Sequence, residues 1–202
     1  MQIMTTQEQP TRKIEIDFMY IDLDTCARCR GTDANLDAAI QAVQAFLKST
    51  GAAVTVRKTL VNSETKAMEL GFVSSPTIRV NGQDIALELR ESNCQSCGEA
   101  CACEGKMNCR VWVYQGEEHT VAPVPMIIDA ILSAVYVDKE DMPTQAVVAP
   151  VPENLTRFFA AKAAKASACC NAEEQATCCE PAQKPTCCAP SLEPAQPAGC
   201  GC

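Results

Sequence analysis

Residues 13–29 read KIEIDFMYIDLDTCARC. Ile14, Ile16, Phe18 and Tyr20 fall at alternate positions, the period of a strand with one buried face, which predicts a strand over Lys13–Leu23. It runs into Cys26-Ala27-Arg28-Cys29, and there the period changes. From Asp33 to Lys48, residues Leu36, Ala39, Ile40, Val43, Phe46 and Leu47 share one face of a helix, and Gly51 stands where helices commonly stop. A strand feeding a helix through two cysteines sets the class as α/β. A CxxC at or near a helix N-terminus gains thiolate character from the helix dipole, and Arg28 and Arg30 are expected to push the same way. Gly31 weakens a helix, so the helix is expected to start late and leave the CxxC on a loop.

Downstream, Val54, Val56 and Leu60 alternate in a second strand over Ala53–Val61, and Ser63 can cap a short helix over Glu64–Leu70, closed by Gly71. Val73–Val80 and Gln83–Leu89 flank Asn81-Gly82, the strongest short hairpin signal. Val111–Tyr114 reads as a strand, in the main sheet or as a hairpin arm outside it. Met126–Val137 places Ile127, Ile128, Ile131, Leu132 and Val135 at helical spacing. Pro152–Ser167 reads as a last helix with Pro at its first turn and an apolar patch of Leu155, Phe158 and Phe159 that docks on the domain.

This order resembles the thioredoxin-like fold, a central mixed sheet flanked by helices. The resemblance implies that Cys26 is the attacking thiolate, that Cys29 resolves the mixed disulfide, and that Ser75-Pro76 is the cis-proline segment facing them. Thr25-Cys26-Ala27-Arg28-Cys29 departs from the Trp-Cys-Gly-Pro-Cys of thioredoxins proper. Residues 14–160 more narrowly resemble a bacterial family of small thioredoxin-like proteins of uncharacterised function. The carrying pieces are Thr25-Cys26-x-Arg-Cys29, Cys109-Arg-Val-Trp-Val-Tyr-Gln-Gly-Glu-Glu118, Ile127–Leu132 and Pro152–Phe159.

Fifteen cysteines set the chemistry. Cys94, Cys97, Cys101, Cys103 and Cys109 crowd a polar segment, 91–109, read as a loop inserted in the domain. Four of them can make a tetrahedral zinc site; the spacing also suits an Fe–S cluster or disulfides within the loop. Beyond residue 167 come Cys169-Cys170, Cys178-Cys179 and Cys187-Cys188, one pair every nine residues, then Cys200 and Cys202. The spacers are mostly Ala, Pro, Gln, Glu and Thr, with Leu192 the only large aliphatic residue, too polar to bury a core, so 168–202 is expected to be a disordered tail. Vicinal pairs bridge internally only through a strained ring, whereas thiolates select soft ions. In style, such pairs resemble the tails of arsenic metallochaperones.

The expected organisation is a flexible 1–12, a thioredoxin-like domain over 13–137, a linker over 138–151, a helix over 152–167 and the tail. A net charge of −8 and a pI near 4.7 argue against nucleic acid as partner, and no apolar run nears the ~20 residues of a membrane span. Without a signal-peptide layout at Met1–Pro10, the chain is expected to be cytoplasmic, where clustered thiols read as metal-binding or catalytic. His119 is the one histidine, expected on a surface turn, so no Ser-His-Asp set can be built. Trp112 and Tyr114 read as packing residues.

Three functions fit. One is a carrier or sequestering protein for a soft ion, arsenite first and then zinc, mercury or copper(I), that passes cargo to an efflux pump, a reductase or another thiol protein. The second is a thiol–disulfide oxidoreductase at Cys26 and Cys29. The third is a zinc-stapled interaction module. No organic cofactor is suggested.

Overall fold

The computed structural model describes residues 12–101, 103, 107–136 and 150–167. The chain divides into two units, 1–159 and 160–202, and the packing below is that of the first. Most of the expected linker and the whole expected tail, with its eight cysteines, lie outside the described residues.

β1 (Arg12–Tyr20) is the centre of a four-stranded sheet of order β2-β1-β3-β4. Its buried residues Ile14, Ile16 and Phe18 alternate with more exposed ones, as a half-covered strand requires. β1 pairs in parallel with β2 (Ala52–Leu60) from Arg12 opposite Ala52 to Tyr20 opposite Leu60. Parallel neighbours need a crossover, which α1 (Ala27–Ser49) supplies. After the short α2 (Glu64–Glu69), capped by the Ser63 hydroxyl, β3 (Thr77–Val80) returns antiparallel to β1. β4 (Gln83–Asp84) pairs with β3 around Asn81 and Gly82, both at positive φ. That is the two-residue hairpin that Asn-Gly signals, with a shorter second arm than expected.

The Cys-rich segment is not a loop. β5 (Arg90–Asn93), α3 (Gln95–Cys101) and β6 (Asn108–Tyr114) fold in turn, and β7 (Glu117–His119) completes a second antiparallel sheet, β5-β6-β7. His119 is therefore on a strand opposite Trp112, half-buried; the turn comes earlier, at Gln115 and Gly116, both at positive φ. β6 begins three residues before the expected strand and is an arm outside the main sheet.

α4 (Val124–Tyr136) lies with α1 over the main sheet. Leu36, Ala39, Val43 and Leu47 from α1 and Met126, Ile127, Ile131 and Val135 from α4 join Ile14, Ile16, Phe18, Ile78, Val80 and Trp112 in one core. α5 (Glu153–Ser167) follows Pro152, whose carbonyl accepts from Leu155 and Thr156 N–H, so the proline caps the helix rather than occupying its first turn. Leu155, Phe158 and Phe159 are buried, and the Asn154 amide exchanges two hydrogen bonds with the main chain of Asn108.

α1 does not start late. It begins at Ala27 with Cys26 as N-cap and runs through Gly31. A Cβ at Gly31 would sit 2.8 Å from Val121 Cγ2, so the glycine serves a close approach between α1 and the segment before α4.

Candidate metal centre

The seam between the CxxC turn and the β5–α3–β6 segment brings four sulfurs together. Sγ atoms of Cys26, Cys94, Cys97 and Cys109 all lie within 4.8 Å of one another, and all four side chains are buried. Each is placed by local backbone. Cys26 is held by the N-cap geometry of α1, where Arg30 N–H bonds its carbonyl at 3.0 Å. Cys94 caps α3 in the same way, its carbonyl accepting from Gly98 at 3.0 Å while its own N–H reaches Met107 O at 2.7 Å. Three residues on, Cys97 stands within the first turn of α3, so the Cys94-x-x-Cys97 spacing delivers two sulfurs from one turn. Cys109 points inward from β6, and its Sγ lies 3.3 Å from Cys97 Sγ.

Cys29 stands beside this group and outside it. Its N–H donates to Cys26 Sγ at 3.3 Å, while its own sulfur lies 3.4 Å from Ser75 Oγ. Ser75 also accepts Ile21 N–H at its hydroxyl and Arg110 N–H at its carbonyl, and the Ser75–Pro76 bond is cis, the form implied for this segment. Cys101 and Cys103 are bonded to each other, which separates them from the four-thiol group.

The charges follow from the crowding. Hydrogen bonds from Cys109 first, then Cys29 and its other sulfur neighbours, hold the Cys26 thiol well below its ordinary range. Cys94 is lowered to about 6, chiefly by Cys109. The protons stay on the partners: Cys109 is raised, first by its bond to Cys26, and Cys29 likewise by its bond to Cys26. At Cys97 a lowering bond from Cys109 is outweighed by Cys26, Cys94 and burial, and that thiol is raised too. Cys26 and Cys94 are thus shifted toward thiolate and Cys97 and Cys109 toward thiol. A cation would take the protons' place.

The donor set fits one. Tetrahedral zinc with Zn–S near 2.3 Å needs sulfurs about 3.8 Å apart, within the spread seen here. Three of these ligands come from the Cys-rich segment and one from the CxxC.

Arg28 has a different part from the one the sequence suggests. Its guanidinium turns to the neighbouring strands: Nη1 donates to Cys109 O at 3.1 Å and Arg110 O at 3.3 Å, Nη2 to Ser92 Oγ at 3.0 Å and Asn93 O at 2.5 Å. Arg30 bonds the carbonyl of Asp24. The lowering of the Cys26 pKa comes chiefly from its sulfur neighbours, Cys109 first. Sequence reasoning named Ser75 only as part of the cis-proline segment and missed Ser92 and Arg110. Arg110 is 1% exposed, paired with Asp84 at 2.9 Å and Thr77 Oγ1 at 3.0 Å, its guanidinium carbon 5.3 Å from the Trp112 ring centre.

Fold and site thus define a mixed α/β domain with a buried four-cysteine group able to hold a metal ion. The chain belongs to the family described as a domain of unknown function, DUF2703, which matches residues 14–131 and so spans every one of these cysteines. Neither a curated protein nor a solved structure matches the chain. Among the described residues no helix is long and apolar enough to cross a membrane.

Proposed function

We propose that this protein is a thiolate-based binding protein for a soft metal or metalloid ion, and that the ion sits among Cys26, Cys94, Cys97 and Cys109. The observation that carries it is the gathering of four buried sulfurs within 4.8 Å of one another. Buried thiols gain little from such crowding, since each ionised neighbour repels the next; a cation turns that repulsion into coordination. Four donors favour a tetrahedral ion such as zinc. Arsenite, which takes three thiolates, can use three of the four, and the eight further cysteines over 168–202 would raise capacity for it. The sheet order β2-β1-β3-β4, with α1 crossing between parallel strands and a cis proline beside the CxxC, supports reading the domain as thioredoxin-like. In this reading the CxxC is put to coordination, with only its first cysteine as ligand. Delivery to an efflux pump or another thiol protein, in the cytoplasm, is the corresponding role.

One observation favours a second reading. Cys26 is the N-cap of α1, accepts Cys29 N–H at its sulfur and has a lowered pKa, as an attacking thiolate does. Thiol–disulfide exchange at Cys26 and Cys29 is the alternative.

Native mass spectrometry of the reduced chain, with zinc and then arsenite, tests the first reading. One ion retained by a full-length chain whose eight tail cysteines are Ser, and lost on Cys94→Ser or Cys109→Ser, is the expected result. No uptake of either ion by that chain overturns it and leaves disulfide exchange as the function to assay.

A further inference from the structure

We propose that Arg28 is the positioning residue that holds Cys26 in one coordination sphere with Cys94, Cys97 and Cys109. The inference rests on reading that group as a metal site, and it concerns how the site is assembled rather than which ion fills it.

The ligands come from parts of the fold that share no strand ladder. Cys26 belongs to the turn after β1, in the four-stranded sheet, whereas Cys94, Cys97 and Cys109 belong to β5–α3–β6, around the three-stranded one. Something must set the distance between them. Arg28 starts two residues from Cys26 and ends on both strands at once. Nη1 bonds the carbonyl of Cys109, a ligand, and of Arg110; Nη2 bonds Asn93 O, next to the ligand Cys94, and Ser92 Oγ.

These acceptors lie on paired strands, Ser92 opposite Cys109 and Glu91 opposite Arg110. A planar fork with donors in fixed directions can bridge two strands in this way; a lysine ammonium, one point charge on a flexible stem, cannot hold both together. A second contact from the same turn, Ala27 N–H to Ser96 Oγ at 3.3 Å, reaches α3 alone. On the far side, Arg110 ties β6 to the main sheet through Ser75 O, Thr77 and Asp84. That contact fixes where β6 lies and reaches the CxxC only through Ser75, whose hydroxyl lies 3.4 Å from Cys29 Sγ, on the side of the motif away from the four sulfurs. Arg28 thus spans from the Cys26 turn to both strands that carry or flank Cys94 and Cys109, and in the proposal its loss loosens the Cys26 sulfur from the other three.

The test uses the full-length chain with the eight tail cysteines replaced by Ser, as the parent and with Arg28→Lys, Arg28→Ala and, as a charge-matched control, Arg57→Ala. Arg57 pairs with Asp17 on the far edge of the main sheet, its side chain 72% exposed. Circular dichroism checks that each is folded. Two readouts follow: the visible spectrum of bound cobalt(II), which distinguishes four thiolate ligands from three, with competition against a zinc chelator for affinity; and, without metal, cross-linking by dibromobimane, with the joined cysteines mapped by peptide mass spectrometry.

The expected result is that Arg28→Ala shifts cobalt to a three-thiolate spectrum, weakens zinc roughly 10- to 100-fold and loses the cross-links between Cys26 and Cys94 or Cys109. Arg28→Lys should fall between it and the parent, and Arg57→Ala should match the parent. If Arg28→Ala is folded yet keeps the four-thiolate spectrum, the cross-links and an affinity within about twofold of the parent, the proposal is overturned. If Arg28→Ala does not fold, Arg28→Lys decides on the same readouts. A parent that cross-links but binds no metal sinks the metal reading alone, and the cross-links still decide the role of Arg28. A parent that neither binds metal nor cross-links Cys26 sinks both.

Discussion

The N–H of Cys29 donates to the sulfur of Cys26 at 3.3 Å while the sulfur of Cys29 turns away to Ser75 Oγ at 3.4 Å, so the two cysteines of one motif have different chemistry. One faces the seam, the other the interior of the domain. Cys26→Ser should therefore leave a three-thiolate site that holds zinc much more weakly, whereas Cys29→Ser should keep the parent's affinity, as measured by chelator competition in the background lacking the tail cysteines. Equal loss in both variants would mean that the CxxC chelates as a pair.

Metal uptake should release protons. Cys97 and Cys109 are raised and hold theirs in the metal-free state, while Cys26 and Cys94, the latter near pH 6, are already ionised at neutral pH. Binding of a zinc ion that needs four thiolates then expels roughly two protons at neutral pH. Affinity rises with pH for that reason, and it falls more steeply as pH drops through about 6, where Cys94 also takes up a proton. Calorimetry in buffers of different ionisation enthalpy counts the protons directly. A count near zero at neutral pH would show that the thiols are ionised before the metal arrives.

Arg110→Ala should be severe for stability. It strips Asp84 of its partner and Thr77 of a hydrogen bond, and removes the cation lying against Trp112. Breaking a buried ion pair from one side costs about 3–5 kcal/mol; Asp84, with its side chain 16% exposed, places the expected loss near 3 kcal/mol. Urea denaturation measures it, and a loss under about 1 kcal/mol would mean that the pair is no better than a surface one.

Gly31→Ala separates propensity from packing. Alanine in a helix interior gains up to about 1 kcal/mol over glycine, but the new Cβ would stand 2.8 Å from Val121 Cγ2. Overlap of this kind costs about 1–3 kcal/mol, so the single variant should be destabilised. Gly31→Ala with Val121→Ala should recover most of that loss in a thermal double-mutant cycle. A more stable single variant would show that Val121 moves freely.

Much of the main sheet is legible in the sequence because its residues repeat with a period. Ile14, Ile16 and Phe18 alternate, Leu36, Ala39, Val43 and Leu47 recur every third or fourth position, and Asn81-Gly82 supplies the two positive φ values its turn needs. The start of α1 is not legible, since Gly31 carries the local signature of a helix breaker and its reason, the approach of Val121, is tertiary. Segment 91–109 is misread for a related cause. Its strand, RESN, is polar throughout and its helix, QSCGEAC, buries two cysteines and a glycine instead of large aliphatics, so no apolar period announces them. The candidate ligands are visible as residue types. Which four meet is not, because the choice is made where two sheets touch, and Arg28, whose value in sequence is only its charge, acts there through geometry.

The seam has a consequence for how the chain folds. Arg28 and the carbonyl of Cys109 that it grips are 81 positions apart, and the four sulfurs meet across the same span. A cation bound there acts as a cross-link closing a long loop, the kind of link whose effect on the unfolded chain grows with the length it encloses. β1, α1 and β2 are neighbours in sequence and need no such closure to pair. An ion held at the seam would therefore act on stability chiefly through the unfolded chain, by closing a loop that no strand ladder closes.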